Sequence, residues 1–319
     1  MKRRDFLKLS LAGAAVGLPG ALAAQAPGDA APKEFRIGYQ KTGVLVITRQ
    51  QGVLERRLGR LGIATKWIEF TSGPPLLEAM NAGSVDLGAV GDSPPIFAQA
   101  AGAAVVYVAG APVNNGQAIL VKPDSPLRSL ADLKGKRVAF TKGSSAHNVV
   151  VAALEQAGLT YADITPTYLS PADAGAAFAR DSVDAWAVWD PFFAIAEKSQ
   201  GARVLVNATD VIKTFSFYLA NRDFAARYPK ILGEALSGLA EAANWAENNR
   251  HEVAKALAAV TGVSLEAQTI AANRASFPFG PITPEIIASQ QAIADRFHKL
   301  GLIPRAITVR EAVWTAPST

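Results

Sequence analysis

Between residues 35 and 206, short apolar runs alternate with amphipathic stretches, and the switches fall at cap residues, often with proline just behind. Phe35-Arg36-Ile37-Gly38-Tyr39 predicts a strand, and the spacing predicts a helix over roughly 44–60. Ile63–Phe70 reads as a strand, Leu76–Ala82 as a helix closed by Gly83, Val85–Val90 as a strand and Ile96–Ala100 as a helix. Ala104–Ala109 is apolar almost without interruption, as strands of parallel sheets are. The rhythm breaks at Pro112-Val113-Asn114-Asn115-Gly116. It resumes with strands at Ala118–Val121, Arg137–Phe140, Ile164–Tyr168, Val183–Trp189 and Arg203–Val206, with helices between them; the clearest is Asn148–Ala157, closed by Gly158. Phe215–Ala220 is again extended, and Asp223–Leu300 is almost wholly helical, with stops near Gly262, Gly280 and Gly301. No stretch of 20–50 residues repeats.

Two strand–helix sets and a helical tail predict an α/β protein of two lobes. The first lobe takes residues 24–115 and 220–319, the second 116–219. Two extended hinge crossings near 112–118 and 214–221 would join them, with the tail packed on the first lobe. A single large doubly wound domain is the alternative. In open α/β sheets ligands bind at the carboxyl ends of strands, where helix starts present free N–H groups that suit anions. The chain has such corners at Thr71-Ser72-Gly73-Pro74, Gly91-Asp92-Ser93-Pro94, Lys142-Gly143-Ser144-Ser145, Leu169-Ser170-Pro171 and Trp189-Asp190-Pro191. Each pairs a Ser or Asp cap with a helix start, and four of them carry proline in the first turn.

Among these corners, Ser144 and Ser145 exceed what a single cap requires, so the segment reads as an anion cradle with His147 one turn in. A plain serine cap with a surface histidine is the bland reading. Ser93 offers a second cradle; Asp92 beside it would repel an anion and is expected to accept backbone N–H bonds or to meet a cation. Strand alternation sends Trp186 and Trp189 to opposite faces, Trp186 beneath a helix and Trp189 toward a cleft. Asp190 is first of all a helix cap, and secondarily a partner for a ligand's amine or hydroxyl. Gln40 and Lys41 end the first strand, where Lys41 would bring positive charge or serve as a solvated loop residue. His251 and His298 fall on the surface of the tail.

The composition narrows the chemistry. Lys2, Arg3, Arg4 and Lys8 precede an apolar run over Leu9–Ala24, with Ala21-Leu22-Ala23 as a cleavage site, which together make an export signal over residues 1–23. Arg3-Arg4-Asp5-Phe6-Leu7-Lys8 resembles a twin-arginine signal, although Lys2 stands where Ser or Thr is favoured; an ordinary secretory signal is the alternative. The absence of cysteine excludes a lipid anchor, disulfides, iron–sulfur clusters and a thiol nucleophile. The formal charge of +5 includes +3 from residues 1–23, which leaves +2 and no basic run for nucleic acid. There is no phosphate loop, no metal-ligand spacing and no nucleophile elbow, so neither a metal, a cofactor nor an enzymatic role is expected.

Several segments resemble, in order, the aliphatic sulfonate-binding proteins of bacterial ABC importers. They are Gly91-Asp92-Ser93-Pro94-Pro95-Ile96-Phe97-Ala98-Gln99-Ala100, Asp132–Phe140 with Lys142–Asn148, Tyr168–Ala174, Val183–Pro191 and Ser216-Phe217-Tyr218-Leu219-Ala220. Asp181 departs from the glycine common in that family, a change that asparagine-like residues tolerate. The resemblance implies a type II periplasmic binding fold, two α/β lobes that close on a small ligand. It implies a monomeric periplasmic receptor that hands an alkanesulfonate to an inner-membrane permease driven by a separate ATPase. The implied site lies between the lobes, at Gln40, Ser93, Ser144 and Trp189, with Ser216 on the second crossing. A receptor of the same fold for taurine, a sulfate ester, nitrate or another small organic anion is the alternative.

Overall fold

The computed structural model describes residues 31–112, 116–213 and 215–316. The export signal and its cleavage site, the residues after it up to residue 30, Val113–Asn115 of the first crossing and Thr214 of the second lie outside the described residues. The first half runs β1 (Glu34–Tyr39), α1 (Val44–Gln51), α2 (Val53–Gly59), β2 (Ala64–Glu69), α3 (Gly73–Asn81), β3 (Leu87–Val90), α4 (Ser93–Ala100) and β4 (Val105–Pro112). The second contributes β5 (Gln117–Val121), β6 (Arg137–Phe140), α5 (Ser145–Gln156), β7 (Thr165–Tyr168), α6 (Pro171–Ala179), β8 (Ala185–Trp189), α7 (Phe192–Gln200) and β9 (Arg203–Asn207). The chain then returns as β10 (Phe215–Asn221), followed by α8 (Arg222–Arg227), α9 (Pro229–Asn248), α10 (Arg250–Thr261), α11 (Leu265–Arg274) and α12 (Pro284–Lys299).

Two five-stranded sheets result, in the orders β2-β1-β3-β10-β4 and β7-β6-β8-β5-β9. The α/β architecture of two lobes is as the sequence predicts. Within each sheet the strand that arrives by a crossing is the antiparallel one. β5 pairs antiparallel with β8 and β9, and β10 pairs antiparallel with β3 and β4. The segment read as a second extended crossing is therefore already a strand of the first sheet from Phe215 on.

Two local expectations change. The apolar run at Ala104–Ala109 does not reflect a place inside a parallel sheet, because β10 is the one strand of the sheet that β4 pairs with, and it runs antiparallel. It is apolar because both its faces are covered: Val106 and Val108 face one core cluster, Val105 and Tyr107 the other. The helix over 44–60 is two helices, since Gly52 takes a left-handed conformation (φ 63°) that ends α1 and starts α2.

The tail clasps the first sheet from both sides. α9 buries Ile231, Leu232, Ala235, Leu239, Ala242 and Ala246, a stripe at helical spacing, against α1, α2 and β1. Gly238 lets it approach closely; a Cβ there would stand 2.7 Å from Leu54. α12 covers the opposite face with Ile286, Ile293 and Phe297. At the amino edge of each sheet the same clamp recurs: Asp86 accepts from the Arg36 backbone N–H and guanidinium, and Asp184 from those of Arg137. The carboxyl edges are thereby left for the loops that make the site.

Candidate functional site

A cavity of about 200 Å³ lies where the carboxyl ends of β1, β3, β6 and β8 meet, bounded also by β10 and the tail. Its polar part is built from helix starts. On the second half, Ser144 and Ser145 open α5; Ser144 makes no side-chain cap bond, and its hydroxyl donates to the Thr141 carbonyl at 2.7 Å. On the first half, Thr42, Gly43 and Val44 open α1, which likewise has no side-chain cap and no acid in its first turn. First-turn N–H groups have no partner inside a helix, so two uncapped N-termini from opposite halves present donors to one space.

Apart from Asp190, the rest of the lining is apolar or neutral. Trp189 sits beside Gln117, its partner in the β5–β8 ladder. Ser216 lies opposite Ala111 on the paired strands β10 and β4. Tyr218, Leu257, Ala271, Phe277 and Pro278 form an apolar chamber, most of it supplied by the tail. Among the described lining residues Asp190 is the one with a charged side chain.

Gln40, Ser144, Ser145, Trp189, Asp190 and Ser216 are thus brought together at the cavity. Gln40 spends one amide hydrogen on the Ala89 carbonyl at 3.1 Å, which fixes its side chain against β3. Asp190 sits at the start of α7: its Oδ1 accepts from the Ala194 N–H at 3.0 Å, and its Oδ2 has no partner. Burial pushes this carboxyl up to about 6, against the opposing pull of Arg274.

Four expected residues stand elsewhere. Lys41 turns away, its ammonium donating to the Thr261 carbonyl at 2.9 Å with Glu69 3.7 Å off, so no cation of this loop faces the cavity. Ser93 and Asp92 are fully buried, and the Ser93 hydroxyl donates to Asp92 Oδ1 at 2.8 Å. The start of α4 makes a poor cradle for a plain reason: Pro94 and Pro95 have no N–H to offer. Asp92 instead serves the seam between halves, where the Asn148 amide donates to its Oδ2 at 2.9 Å, and burial raises it to about 6. His147 is no surface residue, and it does not line the cavity. It is fully buried, its Nδ1 accepts the Gly143 N–H at 3.2 Å, and its ring stacks on Phe140 and Phe97 with Phe297 alongside. Burial, aided by the Lys142 charge, lowers it to about 4.

Sequence reasoning missed the start of α1, Gln117 and the apolar chamber. Gly43 (φ 80°) ahead of an apolar stretch without a cap residue was the available signal for the first. The chamber gave none, because Leu257, Ala271 and Phe277 are distant in sequence from every strand corner.

The two halves touch around the cavity. Gly91, at the end of β3, lies so close to α5 that a Cβ on it would be 2.7 Å from Ser145 Cβ. Arg296 of α12 reaches Glu155 of α5 at 3.5 Å, and Lys198 of α7 meets Glu266 of α11 at 2.8 Å. Among the described residues no helix is long and apolar enough to cross a membrane, and no cluster of three or more His, Asp or Glu could hold a metal.

Two α/β lobes with a ligand-sized cavity at their facing strand ends define a type II periplasmic binding protein. The chain belongs to the NMT1-like family, whose model matches residues 28–262, and within it to the aliphatic sulfonate-binding proteins. It is 43% identical over 316 residues to the aliphatic sulfonates-binding protein of Escherichia coli K12, covering 98% of this chain and 97% of that one. Its counterpart in Bacillus subtilis 168 is 32% identical over 288 residues, 88% of this chain and 86% of the relative. Among solved structures, the alkanesulfonate-binding protein SsuA from Xanthomonas axonopodis pv. citri, bound to MOPS, superposes with a TM-score of 0.85 at 42% identity, covering 89% of this chain and 99% of that one.

Proposed function

We propose that the chain is a periplasmic receptor that seats an aliphatic sulfonate in this cavity and delivers it to an ABC permease with its separate ATPase. The observation that carries the reading is the pairing of two uncapped helix N-termini, α1 and α5, at a cavity whose remaining lining is largely apolar. A sulfonate is a permanent monoanion with three acceptor oxygens and no proton to give. It asks for donors at one end and for hydrocarbon at the other. Each charge-assisted bond contributes about 1.5–3 kcal/mol and each helix end about 0.3–1 kcal/mol. Micromolar affinity needs about 8 kcal/mol net, which three or four such bonds and tail burial against Trp189 and Phe277 supply after ordering costs. A lysine at the seat is unnecessary, consistent with Lys41 pointing away.

The two lobes divide at the crossings, 116–213 forming the second, and swing on β4 and β10, closing as a clamp. Export to the periplasm by the signal at residues 1–23 and action as a monomer complete the reading. Ser145→Ala is expected to weaken alkanesulfonate binding about tenfold, the loss of one charge-assisted bond. Titration calorimetry at neutral pH checks this, and an unchanged dissociation constant removes the hydroxyl from the seat. A screen of alkanesulfonates, taurine, nitrate and sulfate esters by thermal shift ranks the alternatives; the proposal expects stabilisation by alkanesulfonates foremost.

A further inference from the structure

The cavity poses an electrostatic problem. Its one charged lining residue among those described is an acid, Asp190, in a site read as binding an anion. The carboxylate is buried, and its Oδ2 faces the Gly116 backbone without a partner; a Cβ on Gly116 would stand 3.5 Å from it. At low local dielectric such a charge would oppose a bound sulfonate strongly.

Arg274, the last residue of α11, approaches this carboxylate from the other half. Its Nη1 stands 3.5 Å from Asp190 Oδ1, its Nη2 bonds Glu197 of α7, and its guanidinium carbon lies over the Phe193 ring, 3.8 Å from the centroid. One planar fork thus meets two carboxylates and an aromatic face of the second half, a geometry that suits arginine and not lysine. The charged groups around Asp190 are Arg274 from α11 and Glu197 from its own helix, with the Lys198–Glu266 pair further along the same seam. The flanking residues Ala271 and Ala275 line the cavity, so the turn that carries Arg274 is also part of its wall.

We infer that Arg274 is a positioning residue for ligand binding: it pins the Trp189-Asp190 corner across the cleft and cancels the Asp190 charge, so that an anion is accepted beside a carboxylate. The inference rests on the reading of the cavity as a sulfonate seat. It goes beyond that reading by assigning a role to a residue that does not line the cavity.

The test is calorimetric titration of the full-length protein with pentanesulfonate at pH 5 and pH 8, for wild type, Arg274→Ala, Arg274→Lys, and Arg274→Ala combined with Asp190→Asn. Wild type is expected to bind with dissociation constants within about threefold of each other at the two pH values. Arg274→Ala should bind at least tenfold more weakly at pH 8 than at pH 5, because Asp190 is then ionised without its counter-charge. Arg274→Lys keeps the charge but not the planar fork, so it should recover only part of the pH 8 affinity, and the double variant should lose the pH dependence. If Arg274→Ala does not fold, Arg274→Gln takes its place. An equal loss at both pH values, or a pH dependence that survives in the double variant, overturns the inference. A wild type that ignores pentanesulfonate at both pH values would instead overturn the sulfonate reading beneath it.

Discussion

Gly91→Val is expected to weaken sulfonate binding by about a hundredfold while leaving the ligand-free protein folded. Gly91 sits at the end of β3 against α5, where an added Cβ would stand 2.7 Å from Ser145 Cβ and 2.9 Å from Ser145 Oγ. Ser145 Cβ is rooted on the first turn of α5, so it cannot swing aside as the tip of a long side chain would. Forcing extra volume into such a contact costs about 1–3 kcal/mol, and the upper end corresponds to roughly a hundredfold in affinity. The protein can escape the clash by holding the lobes apart, which costs binding and little stability. A calorimetric titration beside a thermal melt of the free protein separates the two. Unchanged affinity would mean that the approach of Gly91 to Ser145 is not part of the bound state.

The second large effect is on stability and carries a sign. His147 has its ring between aromatic residues of both halves, Phe140 on its own side and Phe97 and Phe297 across the seam. Folding lowers it from 6.5 to about 4, chiefly because burial disfavours the charged ring. The folded state therefore binds fewer protons than the unfolded state between those values. His147 adds stability that is fully present above pH 6.5 and is lost as the pH falls toward 4. At about 1.4 kcal/mol per pKa unit the swing is about 3 kcal/mol. Asp92 and Asp190, both raised from 3.8 to about 6, act in the opposite sense: they favour the folded state at acid pH and lose that advantage as the pH rises through 6. The wild-type profile is thus partly levelled, and the difference between wild type and His147→Phe isolates the histidine. Urea unfolding from pH 4 to 7 should show wild type gaining about 3 kcal/mol on the variant across that range. A constant difference would show that His147 titrates normally.

Much of the fold was legible because strand and helix patterns are local. β6 appears at the expected residues, and most other strands begin or end within two residues of their predicted bounds. The corners at Gly91, Ser144 and Trp189 were legible too, since cap residues and proline are local signals, and all three line the cavity. What failed depended on information that no local pattern holds. Which way Lys41 and His147 point is decided by neighbours from other parts of the chain, Thr261 for one and Phe97 and Phe297 for the other. The direction of β10 could not follow from its apolar alternation, because pairing partners are set by topology. The start of α4 is the instructive miss. Proline in a first turn announces a helix but also removes the N–H groups an anion would need, so Pro94-Pro95 argued for the element and against the cradle at once. One repeated pair passed unnoticed: Val85-Asp86 and Val183-Asp184 precede equivalent strands and clamp Arg36 and Arg137 in the same way.

Everything functional in this account depends on amide donors from both lobes meeting on one sulfonate head group. Titration calorimetry of the exported form with pentanesulfonate, taurine, nitrate and pentanoate tests that directly. The account predicts a single saturating site for pentanesulfonate at micromolar concentration, bound more tightly than the carboxylate of the same chain length. Saturable binding of nitrate or pentanoate with no heat from any sulfonate would contradict it.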